Sequence, residues 1–254
     1  MDNKAYLNRL FESDKPLIIH KATRGFDVYT DFSDKVIIQK SNLKNFIKKT
    51  TLSRKKYNKF FNGYIGFFSY ELCCELIGVK IPNQQSNNFY KSIFYKPQTV
   101  IKIRKNIRIQ SILSNFKSLD HLKKSKKKYV YQKKFTVNLS LNQYSKLFDK
   151  FIKKIKRGET YQIKICQKYR NNSRIDPIKF FWNLMKINKS PESFVIRDLD
   201  YSIVSCSPET LIEKKNNMIT TKPIAGTLKK TSHISKGKAK IYFQNNEKES
   251  KEHN

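Results

Sequence analysis

From Pro16 onward the chain sets short apolar runs between charged breaks: PLIIH, then KVIIQK, then SNLKNFIKK, whose apolar positions fall at helical spacing. The first two predict strands and the third a brief helix. NGYIGFFSYELCCELIG is apolar almost throughout and predicts a buried strand, with Gly63 and Gly66 marking a close approach of another backbone. FYKPQTVIKIRKNIRIQSIL continues extended, and then the period changes. In SLNQYSKLFDKFIKKIKRGET, Tyr144, Leu147, Phe148, Phe151, Ile152 and Ile155 recur at steps of three and four, one apolar stripe along a helix that Gly158 ends. TYQIKICQKY alternates in period two and predicts a strand directly after it. Asp176 and Pro177 stand where an N-cap and first helical residue belong, ahead of a buried face of Ile178, Phe181, Leu184 and Met185. SFVIRDLD, YSIVSCS, ETLIEKK and MITTKPI then predict antiparallel strands, with Asn216 and Asn217 as a hairpin turn. The tail is polar, with a charged helical pattern around Glu247.

Charge alters this picture less than its size suggests. Lys and Arg number 53 against 20 Asp and Glu, a formal net charge of +33 over 254 residues. The cations are mostly lysines spread along the whole chain, the bias of AT-rich coding sequence. A nucleic-acid binder concentrates its charge and mixes in arginine for paired contacts, so nucleic acid is not an expected partner on composition. The densest stretch, HLKKSKKKYVYQKK from His121 to Lys134, reads as a solvated loop. Cys73, Cys74, Cys166 and Cys206 have neither zinc-site nor C-x-x-C spacing. The N-terminus lacks a signal peptide's apolar core and no run approaches a membrane span, so a cytoplasmic protein with no membrane partner is expected.

Candidate chemistry gathers between Ser205 and Thr227. Two strands would bring CSPE and PIAGT side by side, setting the Glu209 carboxylate next to a tight turn with backbone N–H groups at Gly226 and Thr227. Such a turn can hold an anion. The same residues also suit an ordinary hairpin end with a surface glutamate.

Taken in order, GYIGFFSYEL, GETYQIKICQKY, SPESF, SIVSCSPETLI, TTKPIAGT and KESKEHN resemble the component I chain of anthranilate synthase and its sister aminodeoxychorismate synthase, both chorismate-utilising enzymes. The resemblance runs from about Gly63 to the end. It implies an α+β fold, two antiparallel sheets packed as a sandwich with outer helices, with residues 1–135 as an N-terminal region and 136–254 as the first part of a chorismate-binding domain. It implies chorismate as substrate, with Glu209 as the acid that assists loss of the ring 4-hydroxyl, its proton kept by burial. Ala225, Gly226 and Thr227 would line the substrate site. Glu252, in KESKEHN, would help hold Mg2+. Gln162 stands where water-adding relatives carry a lysine, which implies ammonia as nucleophile, delivered by a separate glutamine amidotransferase subunit; taken alone it also reads as a solvent-facing strand residue.

The product stays open between two branches. Ala225 replaces a lysine common in aminodeoxychorismate synthases, which favours anthranilate, whereas the wording of GETYQI and SYEL leans to the other branch. The chain before Gly63 is shorter than is usual for anthranilate synthase, and PLIIHKATRG is only a remnant of the tryptophan-binding L-L-E-S element. The family pattern beyond KESKEHN is missing, so a truncated, inactive chain is expected. A noncatalytic, polyanion-binding remnant is the rival reading.

Overall fold

The computed structural model describes residues 3–52, 61, 63–80, 92–114, 122–224, 226–229 and 231–247. The fold is α+β with antiparallel sheets, and the chain divides into two compact units, Met1–Lys124 with Pro177–Asn254, and Ser125–Asp176.

In the larger unit, PLIIH becomes β1 (Leu17–Lys21), hydrogen-bonded on one side to β2 (Phe26–Ile37) and on the other to β8 (Glu192–Arg197). Side chains alternate across a strand. Leu17 and Ile19 therefore enter one core with Tyr6, Leu7 and Leu10 of α1 (Asn3–Glu12) and Ile178, Phe181 and Met185 of α5 (Pro177–Ile187). Ile18 enters a second core on the opposite face with Tyr29, Ile93, Tyr95, Val100 and Ile196. Both faces of β1 are covered, which is why the strand is a continuous apolar run and not an alternating one.

β4 (Ser92–Ile103) lies beyond β2, and its far side is shared by β3 (Ile65–Phe68) and β5 (Ile107–Ser111). At the other end β9 (Ser202–Ser207) pairs with β8. Seven antiparallel strands thus make one sheet. α2 (Lys40–Leu52) follows β2, as expected from SNLKNFIKK.

The segment read as one long strand divides into β3 and a helix, α3 (Tyr70–Leu76). Ser69 causes the break: its hydroxyl accepts from the Leu72 N–H and caps the helix, a signal that the surrounding apolar residues masked. The close approach at Gly66 is present. A Cβ there would lie 1.9 Å from the Ile93 carbonyl oxygen and 2.7 Å from Phe94 Cα. Gly66→Ala is expected to pry β3 from β4 and cost about 1–3 kcal/mol, read as a lowered thermal midpoint.

The second core contains a polar knot. Tyr95 donates its hydroxyl hydrogen bond to Asp198, which also pairs with Lys35 at 2.6 Å, and the Tyr95 and Tyr201 hydroxyls are 2.6 Å apart. Burial alone would raise the Asp198 carboxyl, but its bonds from Lys35, Tyr95 and the Leu199 N–H prevail and hold it below the ordinary value. Its stabilisation is therefore present above the unfolded-state pKa and lost as acid drives protonation in the fold. Burial, with smaller charge contributions led by Asp31 and Asp27 respectively, pushes the phenols of Tyr6 and Tyr29 up to about 12. Their contribution has the opposite sign: complete below about pH 10, where an unfolded phenol starts to ionise, and lost as pH rises toward about 12. Circular dichroism is expected to show unfolding midpoints falling steadily across that alkaline window.

The smaller unit carries α4 (Leu141–Lys156), closed at its start by a reciprocal pair in which Ser140 accepts from Gln143 N–H and Gln143 accepts from Ser140 N–H. Gly158 ends it with φ +74°, as expected. None of its stripe is fully buried: Leu147, Phe151, Ile152 and Ile155 are half-covered, while Tyr144 and Phe148 are exposed. TYQIKICQKY is not a strand over 161–168; only Tyr169–Arg170, β7, pairs with Thr136–Val137, β6. A period of two sets which faces could be buried but supplies no partner, and residues 161–168 have no ladder among the described residues. The final helix, α6 (Lys236–Asn245), starts at a Ser235 cap and ends before Glu247, earlier than the charge pattern suggested.

Candidate functional site at the corner after β9

Pro208 lacks a backbone N–H, and the β8–β9 ladder ends with Glu192 opposite Ser207, just before it. Glu209 occupies the corner, and the chain returns as a hairpin of β10 (Thr210–Lys215) and β11 (Met218–Lys222), turning at 216–217 with Asn216 at φ 54°. The predicted hairpin is therefore present. Its register sets Thr210 against Lys222, so the residues leaving β11 face those entering β10. The Ile224 N–H donates to Glu209 Oε1 across a long 3.4 Å. SPE and the PIAGT bend are neighbours, as the sequence implied.

The corner holds a second carboxylate that sequence reasoning passed over. Thr210 donates its hydroxyl to Glu192 Oε1 at 2.5 Å, and His20 Nε2 stands 3.9 Å from Glu192 Oε2. His20 is opposite Phe194 in the β1–β8 ladder, which puts it on the second-core face, diagonal to Glu192. The only signal for Glu192 was its place in SPESF, and no local pattern foretold His20, whose approach depends on pairing between β1 and β8. Glu209, Glu192 and His20 give the corner proton acceptors and donors on three different strands or strand ends. Glu209 itself is exposed, in contrast to the burial expected of a catalytic acid. Gly226 is half-buried and Thr227 exposed, both outside helix and strand. Ala225 lies outside the described residues.

Gln162 belongs to the smaller unit. It is exposed, and its main-chain carbonyl accepts from the Thr160 hydroxyl at 3.1 Å. Glu252 lies outside the described residues, and no cluster of three His, Cys, Asp or Glu is found among those described. The described residues by themselves do not fit a magnesium site. All four cysteines are free, Cys74 buried and Cys73 and Cys166 exposed. No helix among the described residues is long and apolar enough to cross a membrane.

Comparison with known families decides what this corner belongs to. The model of the chorismate binding enzymes matches residues 6–254. The chain belongs to that family. Among curated relatives of this chorismate-binding chain, anthranilate synthase component 1 of Saccharolobus solfataricus is 24% identical over 198 residues, covering 76% of this chain and 46% of the relative. The protein of the same name from Buchnera aphidicola subsp. Pemphigus spyrothecae is 27% identical over 246 residues, 87% of this chain and 45% of the relative. Aminodeoxychorismate synthase component 1 of Bacillus subtilis is 28% identical over 121 residues, 47% of this chain and 26% of its own length. The chorismate-binding chain thus spans less than half the length of these relatives.

Proposed function

We propose that the protein is the chorismate-aminating subunit of an anthranilate synthase, joining chorismate and ammonia to give anthranilate, pyruvate and water. The observation that carries this reading is the seating of Glu209 against the first amide of the PIAGT bend. A glutamic acid there donates its proton to the departing 4-hydroxyl, which leaves as water, while main-chain N–H groups of the bend receive a substrate carboxylate. Ala225, Gly226 and Thr227 form that substrate wall. Gln162 offers no base to activate water, which suits a nucleophile that needs none; ammonia then takes the ring position and pyruvate departs as the ring aromatises. Mg2+ enters through Glu252 on the strength of the family resemblance, as a charge partner for a substrate carboxylate. A glutamine amidotransferase subunit supplies the ammonia, and the sheet described above forms part of a two-sheet sandwich in a cytoplasmic enzyme.

The similarity to a protein named aminodeoxychorismate synthase component 1 supports the second branch, amination with pyruvate retained. Product analysis separates the two. Expressed from its gene and given chorismate, magnesium and ammonium, the protein is expected to release fluorescent anthranilate. Aminodeoxychorismate in its place selects the second branch, and unchanged chorismate defeats both. Residues 1–254 by themselves, with Glu209 open to water, are expected to show no turnover.

A further inference from the structure

The folded chain concentrates charge in a way its linear order conceals. Within Ser125–Asp176, twelve lysines and three arginines stand against Asp149, Glu159 and Asp176, five to one, whereas the whole chain has 53 cations to 20 anions. Much of this charge sits on a ribbon. Residues 130–137 run antiparallel to 169–174, joined by the mutual backbone bonds of Val130 and Arg174 and by β6 with β7. Between those two points the Gln132 N–H donates to Ser173 Oγ at 2.6 Å, and Asn171 Nδ2 donates to the carbonyls of Gln132 and Lys134 at 2.7 and 2.8 Å. The backbone is thereby pinned along its length, and the side chains are left outward.

Those side chains are of two kinds. Lys133, Lys134, Arg170 and Arg174 are exposed cations. Interleaved with them, Tyr131 is 70% exposed, Phe135 55% and Tyr169 64%. Lysines alone would mark a solvated face. Large aromatic rings held in water between cations on a fixed backbone are the composition of a surface that tracks a phosphate chain and stacks its bases. An anionic lipid surface would want the apolar groups gathered on one side; along the ribbon they alternate with charge.

We infer that the Ser125–Asp176 unit binds single-stranded nucleic acid along this ribbon. Cations neutralise phosphates and the three rings stack bases, without reading sequence. This activity is independent of the chorismate site, because none of the ribbon residues belongs to the corner after β9.

The test is fluorescence anisotropy of the full chain with a labelled oligouridine across a potassium chloride series, with heparin and phosphatidylserine vesicles as comparison ligands. The expected logarithmic salt slope is about −2 to −4, from three to six phosphates at roughly −0.7 each. Tyr131→Ala with Phe135→Ala is expected to weaken oligouridine binding about tenfold or more with the slope unchanged and heparin binding unaffected. Lys133→Gln with Lys134→Gln is expected to reduce the slope by about one. Both pairs are exposed, and unchanged circular dichroism verifies folding. Equal binding of heparin and oligouridine with no response to the aromatic pair would reduce the ribbon to bare charge attraction and overturn the inference. So would capture by vesicles with none by oligouridine.

Discussion

Glu209→Gln is expected to lower chorismate turnover by about 10²–10⁴-fold, the usual range for loss of a general acid. The substitution keeps the shape of the side chain and an oxygen able to accept from the Ile224 N–H, but removes the proton that the 4-hydroxyl requires. Because Glu209 is exposed and its one bond to the bend is 3.4 Å long, the thermal midpoint is expected to stay within a degree or two of the parent. Turnover within about threefold of the parent would remove Glu209 from the acid role. In that event the same substitution at Glu192 becomes the decisive one, since Thr210 ties that carboxylate to the same corner.

The largest expected effect on stability lies elsewhere. Arg197, at the end of β8, is only 7% exposed, and its guanidinium donates to the carbonyls of Leu10, Phe11 and Lys15 at 2.8–3.1 Å. It terminates α1 and fixes the entry to β1 in one group. Arg197→Ala strands those carbonyls in a dry site, each costing about 1–3 kcal/mol, and a total loss of about 3 kcal/mol or more is expected. For a chain of this size that is a fall in thermal midpoint of about 6–12 °C. Arg197→Lys is expected to recover little, because an ammonium lacks the planar fork that reaches all three carbonyls. A midpoint shift under about 2 °C for Arg197→Ala would show that water replaces the guanidinium.

What could be read beforehand follows from whether the deciding contact is local. α5 was legible because Pro177 opens it and Ile178, Phe181 and Met185 repeat at helical spacing, and the three do enter the core. The β10–β11 hairpin was legible because its turn residues are adjacent. α3 was not, since a lone Ser69 had to be weighed against an unbroken apolar run. The strand expected at 161–168 failed for the opposite reason: its alternation was clear, but pairing is a property of two segments. The site divides the same way. Glu209 and the bend are joined by a short hairpin and were placed correctly, whereas His20 reaches Glu192 only through pairing between β1 and β8.

That pairing also sets a timetable for synthesis. β1 meets β2 within a few residues, but its other edge waits for β8, about 180 positions later, where Leu17 faces Arg197. Ribosomes add roughly 5–20 residues per second, so the edge stays open for about 9–36 s in each round of translation. The helix that covers its first-core face, α5, emerges only slightly earlier. During that interval the nascent chain displays LIIHK with one ladder of hydrogen-bonding groups unfilled, a template for a neighbouring nascent chain on the same message. Yield of folded protein should therefore depend on ribosome spacing and on chaperone supply more than on the stability of the finished sheet.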